Sequence, residues 1–327
     1  MAPVHSRISS RITPVNAQPT VKNLVNFTDE RAGLGRQLVN EDRAVFLQTN
    51  RGPVAMSIDG ITAFTDWRAE MQRHRITAAS LAAETAKNVA SMMRPGLTFP
   101  EFLNDLSHAL EQVRVTFKVP DNEILGFVLS VYIPWEGEHG GFWQIGDCGY
   151  GYSYTADDGT EHWVDSLNGQ LAENSDDANL RAEILERELK KLGLWDAYPN
   201  IDDAILAKLA KDAWDQMHAA RVAKSLREHS YDWLRSAEGL AEKSKPVHLL
   251  THRPNRIVTV SDGWERVPRT LEEGLRDHAR WQEQDPLVIG RNDDDLKAAK
   301  GYMAFDGKRN KYLDDVTFVG FDYDYTT

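Results

Sequence analysis

Five short stretches of this chain place acidic residues against an apolar run. Asn40-Glu41-Asp42 precedes "RAVFL", Asp59-Gly60 follows "AMSI", and Gly146-Asp147 follows "FWQI". Ser261-Asp262-Gly263 follows "IVTV", and Asp314-Asp315-Val316-Thr317 leads into "FVGF". Each alone reads as an ordinary turn, since Asp-Gly is a common turn dipeptide. Gathered at one edge they become a donor set made only of oxygen, which suits a hard cation such as Mg²⁺ or Mn²⁺. Zinc is not expected, because no CxxC, HExxH or close histidine pair occurs and the ten histidines are dispersed. With this many carboxylates two ions can be held, roughly 3.5 to 4 Å apart, activating a water and clamping a phosphoryl oxygen. The implied chemistry is phosphoester hydrolysis.

The elements around these acids must bring them together. Ala44 to Leu47 and Pro53 to Ile58 flank the turn-prone Thr49-Asn50-Arg51-Gly52, the pattern of a β-hairpin. Centred between Asn50 and Arg51, this hairpin sets Asp42 across from Asp59. Cross-strand Cβ atoms lie roughly 4.5 to 5.5 Å apart, and like charges that close repel, so a positive partner is expected. Helices are expected from Asp66 to Met93, with Leu81, Val89 and Met92 along one side, and from Thr98, where Glu101 completes a capping box. Strand-like runs follow at Glu123 to Ile133 and Gly141 to Ile145, then a tyrosine-rich segment and "EHWVD". A helical stretch covers Asp176 to Leu192 and Asp202 to about Leu240. Strands resume at Arg256 to Val260 and Val316 to Phe321, with one helix between them from Thr270. This order lacks the β-α alternation of a parallel sheet and fits an α+β sandwich. Met1 to about Asn23 is polar and reads as an arm or first edge strand, leaving residues 24–327 as one domain.

Composition narrows the function. The 327 residues are 41% apolar and 27% charged, enough to bury a substantial core. A net charge of −12 argues against a nucleic-acid or anionic-membrane partner. No apolar run is long enough to span a bilayer and the N-terminus lacks a signal-peptide apolar region, so a cytoplasmic protein is expected. The one cysteine, Cys148, reads as a buried structural thiol. A cysteine-dependent phosphatase loop would need an arginine six positions later, where Tyr154 stands.

The five acidic stretches, in this order and over about Leu38 to Asp322, resemble the motifs of the PP2C (PPM) family of metal-dependent protein serine/threonine phosphatases. The resemblance implies an α-β-β-α sandwich, two antiparallel β-sheets flanked by helices, with a two-metal centre at one end. In that reading Asp59 bridges both ions, while the Gly60 carbonyl, Asp262 and Asp314 complete the direct ligands; Asp59, Asp262 and Asp314 are the catalytic set. Glu41 and Asp42 bind metal directly or through water, and Asp147 with Asp262 holds a weaker third ion. The substrate implied is a phosphorylated Ser/Thr protein with a cognate kinase.

Departures from the family pattern bear on activity. The arginine usual four residues before the motif glutamate is Gln37 here, so the neighbouring Arg36 becomes the candidate phosphate ligand. Ile61-Thr62-Ala63 follows Asp59-Gly60, so a histidine general acid is absent there and leaving-group protonation falls to water. A helical insertion at about 170–245 occupies the place of a short flap, and is expected to govern which phosphoprotein binds. A catalytically silent relative that binds a phosphorylated partner is the alternative, and a two-metal nuclease is disfavoured by the acidic charge.

Overall fold

A computed structural model of the chain describes residues 20–29, 40–61, 76–120, 125–167, 175–228, 244–264, 266–287, 289 and 316–326. The strands, numbered along the chain, form two antiparallel five-stranded sheets. One sheet runs in the order β1 (Thr20–Asp29), β10 (Val316–Asp324), β9 (Pro254–Val260), β6 (Gly149–Thr155) and β7 (Glu161–Asp165). The other runs β2 (Arg43–Thr49), β3 (Gly52–Gly60), β4 (Phe127–Ile133), β5 (Gly141–Ile145) and β8 (Ser244–Leu249). Five helices are seen among the described residues: α1 (Ala78–Ser91), α2 (Phe99–Phe117), α3 (Ser175–Lys191), α4 (Asp203–Glu228) and α5 (Leu271–Gln284). The α+β architecture of two antiparallel sheets flanked by helices is the one expected.

Alternation along the strands builds the layers. Val54, Met56 and Ile58 of β3 turn outward into a core with Ala82 and Ala86 of α1 and Phe102 and Leu106 of α2. Ala55, one step out of phase, joins Tyr132, Phe142, Ile257, Val319 and Phe321 between the sheets. Ser57 continues that inner row, and its hydroxyl donates to Thr259 Oγ1 of the facing sheet at 3.1 Å. Asp59 is the next member. The inner row of β3 therefore changes from methyl to hydroxyl to carboxylate on approaching one end of the sandwich. Aromatic rings fill the other end, where the Tyr132 and Tyr323 hydroxyls meet at 3.0 Å.

The hairpin register is the expected one, with Arg43 paired to Ile58 and Thr49 to Gly52. The first capping box holds, with Glu101 accepting from the Thr98 N–H and hydroxyl at 2.8 Å each. At the second, the Glu273 N–H donates to Thr270 Oγ1 at 3.1 Å, but the Glu273 carboxylate accepts from the Arg269 N–H at 2.9 Å rather than from Thr270. Three details differ from expectation. Met92 is 75% exposed rather than on the buried side with Val89, because α1 ends at Ser91 and Met92 caps it. "SKPVHL" forms β8 at a sheet edge, where no strand is expected from the sequence. β1 is the edge strand that is one of the two readings of the N-terminal stretch, but it runs from Thr20 to Asp29, past Asn23, along β10. Residues 1–19, 62–75 and 229–243, which carry the rest of the arm and parts of two expected helices, lie outside the described residues. No described helix is long and apolar enough to cross a membrane.

On the far face of the first sheet, Val258, Val260 and Phe318 pack with Trp264 and with Leu271 and Leu275 of α5. His278 of α5 is fully buried with its ring 4.7 Å from that of Trp264. Burial pushes its pKa down to about 4, against smaller upward pulls from Asp277 and from the Gly263 backbone. The unfolded chain takes up this proton near the ordinary value of 6.5 and the folded one only near 4. Stability should therefore fall as pH drops from 6.5 toward 4, and this contribution should level off below, for a total of about 3 kcal/mol. Urea denaturation at pH 7 and pH 4.5 checks this, with His278→Gln losing that part of the pH dependence.

Candidate metal centre

The turn before β2 is built to hold two buried acids. Glu41 and Asp42 are 2% and 1% exposed. The Asp42 N–H donates to Asn40 Oδ1 at 2.7 Å, closing the turn. Arg43 clamps it from outside, with Nη1 donating to the carbonyls of Asn40 (2.9 Å) and Asp42 (2.7 Å) and Nε to Glu84 of α1 (2.7 Å). Burial would raise the Glu84 carboxyl, but its hydrogen bonds with Arg43 and Lys87 outweigh that and hold it below the usual carboxylate range. Two threonines grip the acids themselves. Thr77, the N-cap of α1, donates to Glu41 Oε1 at 2.6 Å while accepting from the Ser80 N–H at 3.0 Å. Thr317 of β10 donates to Asp42 Oδ2 at 3.1 Å, reaching across from the other sheet.

The Gly60 N–H donates to the Glu41 carbonyl at 3.1 Å, which extends the hairpin register one step and sets Asp42 opposite Asp59. Gly60 lets α1 approach: a Cβ there would stand 2.7 Å from the Ala79 carbonyl oxygen. Gly146, at φ +72°, turns the chain after β5, and a Cβ would press on Val128 at 2.2 Å. Asp147 follows, and Gln144 Nε2 closes the turn on the Cys148 carbonyl at 2.7 Å. Asp59, Asp147 and Asp262 are half-buried.

Cys148 reports how the acids gather. Its thiol is completely buried, and its pKa is pushed well above the ordinary value, first by burial and then by the charges of Asp59, Asp262 and Asp42. A hydrogen bond with the Asp59 backbone works the other way. Carboxylates from β3, from the turn before β2 and from the turn after β9 thus all act electrostatically on one thiol. Held protonated, that thiol is the structural group expected. Behind Asp262, the Ser261 N–H donates to the Thr317 carbonyl at 3.3 Å and Ser261 Oγ accepts from the Thr317 N–H at 2.9 Å. Trp264 Nε1 donates to the same Thr317 carbonyl at 2.8 Å. Asp165 at the end of β7 accepts from the Val267 N–H at 3.3 Å, and Arg266 pairs with Asp277 of α5.

Glu41, Asp42, Asp59, Gly60, Asp147 and Asp262 therefore lie at one end of the sandwich. Arg36 and Asp314 lie outside the described residues. Among the described residues, no three Asp, Glu, His or Cys side chains converge closely enough to grip an ion by themselves. The donors present are carboxylate and carbonyl oxygens, and in type they fit Mg²⁺ or Mn²⁺.

No protein-family model and no curated protein sequence matches the chain. Solved structures do. The chain is similar to the serine/threonine phosphatase PstP/Ppp of Mycobacterium tuberculosis, at 17% identity over 93% of this chain and 100% of that one, with a TM-score of 0.40. It is similar to serine-threonine phosphatase 2C from Toxoplasma gondii at 12% identity, over 94% and 98% of the two chains, with a TM-score of 0.39. RsbX in complex with magnesium is similar at 10% identity, over 93% and 99%, with a TM-score of 0.36.

Sequence reasoning assigned no role to Thr77, Arg43, Thr317 or Trp264. Thr317 stood inside a quoted motif, and its position two residues beyond an acidic pair was the available signal. Two substitutions test this framework. Gly60→Ala should force α1 from the Asp59 turn and lower stability by about 1 to 3 kcal/mol, read as a fall in the urea midpoint. Arg43→Lys keeps the charge but loses the planar fork, and should cost about 1 to 2 kcal/mol by the same measurement.

Proposed function

We propose that this chain is a metal-dependent protein phosphatase of the PP2C type, hydrolysing phosphoserine or phosphothreonine in proteins. The observation that carries the reading is that the hairpin register sets Asp42 opposite Asp59, while Thr317 ties Asp42 to Ser261, the neighbour of Asp262. Mutual repulsion disfavours such a cluster unless a cation offsets it. Asp59, the Gly60 carbonyl, Asp262 and Asp314 would hold two Mg²⁺ or Mn²⁺ ions, with Glu41 and Asp42 beside them, directly or through water. Asp147 with Asp262 would hold a weaker third. When bound, the ions supply Lewis acidity toward a phosphoryl oxygen and lower the pKa of an attacking water.

The chain's own residues do the positioning. Arg43 and Asn40 hold the turn that carries Glu41 and Asp42, and Thr77 orients the Glu41 carboxylate. Arg36 would grip the substrate phosphate. The insertion would select the phosphoprotein, a cognate kinase would supply the substrate, and the cytoplasm would be the site of action.

A second reading, a silent module that binds a phosphorylated partner, is favoured by one observation. The two buried acids already meet hydroxyl donors, Glu41 on Thr77 and Asp42 on Thr317. Hydrolysis of a phosphothreonine peptide by wild type and Asp262→Asn, with Mn²⁺ and with EDTA, separates the two. Loss of partners that merely orient a ligand costs about 10- to 100-fold, so loss of a direct ligand should cost more than about a hundredfold. A wild type that binds Mn²⁺ and the peptide without cleaving it would establish the module instead.

A further inference from the structure

Thr317 is completely buried, and its polar atoms join three separated segments of the chain. Its N–H donates to Ser261 Oγ at 2.9 Å, and its carbonyl accepts from the Ser261 N–H at 3.3 Å and from the Trp264 indole at 2.8 Å. Its hydroxyl donates to Asp42 Oδ2 at 3.1 Å. Asp42 immediately precedes β2 of the second sheet, and Asp262, next to Ser261, follows β9 of the first. We propose that Thr317 is a positioning residue that fixes Asp42 against Asp262 across the sandwich, so that the two acids present a set spacing to the ions. The inference rests on the metal-centre reading above.

The chemistry of the link supports it. Facing sheets can slide on apolar contacts, which have no preferred direction, whereas a buried hydrogen bond fixes a direction and distance. A β-branched side chain is stiff at χ1, and here the peptide on which it stands is held on both sides. A threonine hydroxyl also orients a carboxylate without cancelling its charge, as a lysine or arginine would. The acid stays negative for a cation.

The test is calorimetric titration of the full chain with Mn²⁺ and no substrate, beside thermal melting of the metal-free protein. Thr317→Val keeps the shape and removes the hydroxyl; it should bind Mn²⁺ about 10- to 100-fold more weakly. Thr317→Ser and Thr317→Ala form a second pair that differ only in the hydroxyl, whatever the lost methyl costs in stability. Serine should bind nearly as wild type and alanine as weakly as valine, even at temperatures where both are folded. Equal Mn²⁺ affinity within either pair, wild type with valine or serine with alanine, would overturn the positioning role and leave the metal centre standing. Failure of the wild type to bind Mn²⁺ would overturn both.

Discussion

Repulsion among closely set carboxylates is the constraint around which this molecule is arranged. A buried acid is costly unless it is hydrogen-bonded, paired or coordinated, and Glu41 and Asp42 are both buried, with Asp59 across the hairpin from Asp42. The sandwich accommodates them only where its inner layer opens. Along β3 the inner side chains pass from Ala55 to Ser57 to Asp59, and across the layer Thr259 meets Ser57 as Thr317 meets Asp42. The hydroxyl row separates the aromatic interior from the acidic edge, so no carboxylate has to sit directly on apolar rings.

The helical layers are subordinate to the same edge. α1 begins with Thr77 against Glu41, and its first turn touches Gly60 so closely that no side chain fits there. The glycine of the Asp-Gly pair thus serves packing as well as turning. A helix N-terminus also favours negative charge nearby, which places the α1 dipole in support of Glu41. On the opposite face, α5 backs the loop that carries Asp262 through Trp264 and through the Arg266–Asp277 pair. Each acid is held by an element that also buries a core.

The sequence made the layers legible because their signals are local and periodic. Alternation along "GPVAMSIDG" and the turn at Asn50-Arg51 set the hairpin register, and with it the Asp42–Asp59 pairing, before any long-range contact is known. β8 was missed because "SKPVHL" carries a lysine, a proline and a histidine and no alternation, as an edge strand can. Met92 was misplaced because a helical stripe says nothing of where the cap falls. The hydroxyl grips of Thr77 and Thr317 were not legible for a deeper reason. They join residues 36 and 275 positions apart, and only the packing of whole sheets and helices brings them together.

Helices α3 and α4 are tied to this edge through α5 rather than through the acids. α3 and α4 share a core with Leu287 and Ile289, just beyond the end of α5. At its centre the Tyr198 hydroxyl donates to the Asp285 carboxylate and accepts from the Leu287 N–H at 2.7 Å, while Asp285 also accepts from the Ile289 N–H at 3.1 Å. These groups are buried, so loosening one leaves others unsatisfied at a cost of about 1 to 3 kcal/mol each. α5 is therefore anchored just beyond its C-terminal end by the α3–α4 core and along its length by His278 against Trp264, the residue after Gly263. A force that shifts α3 and α4 must move α5 or break the Tyr198 contacts. α3 and α4 pack against the segment that follows α5, and α5 itself backs the loop that carries Asp262.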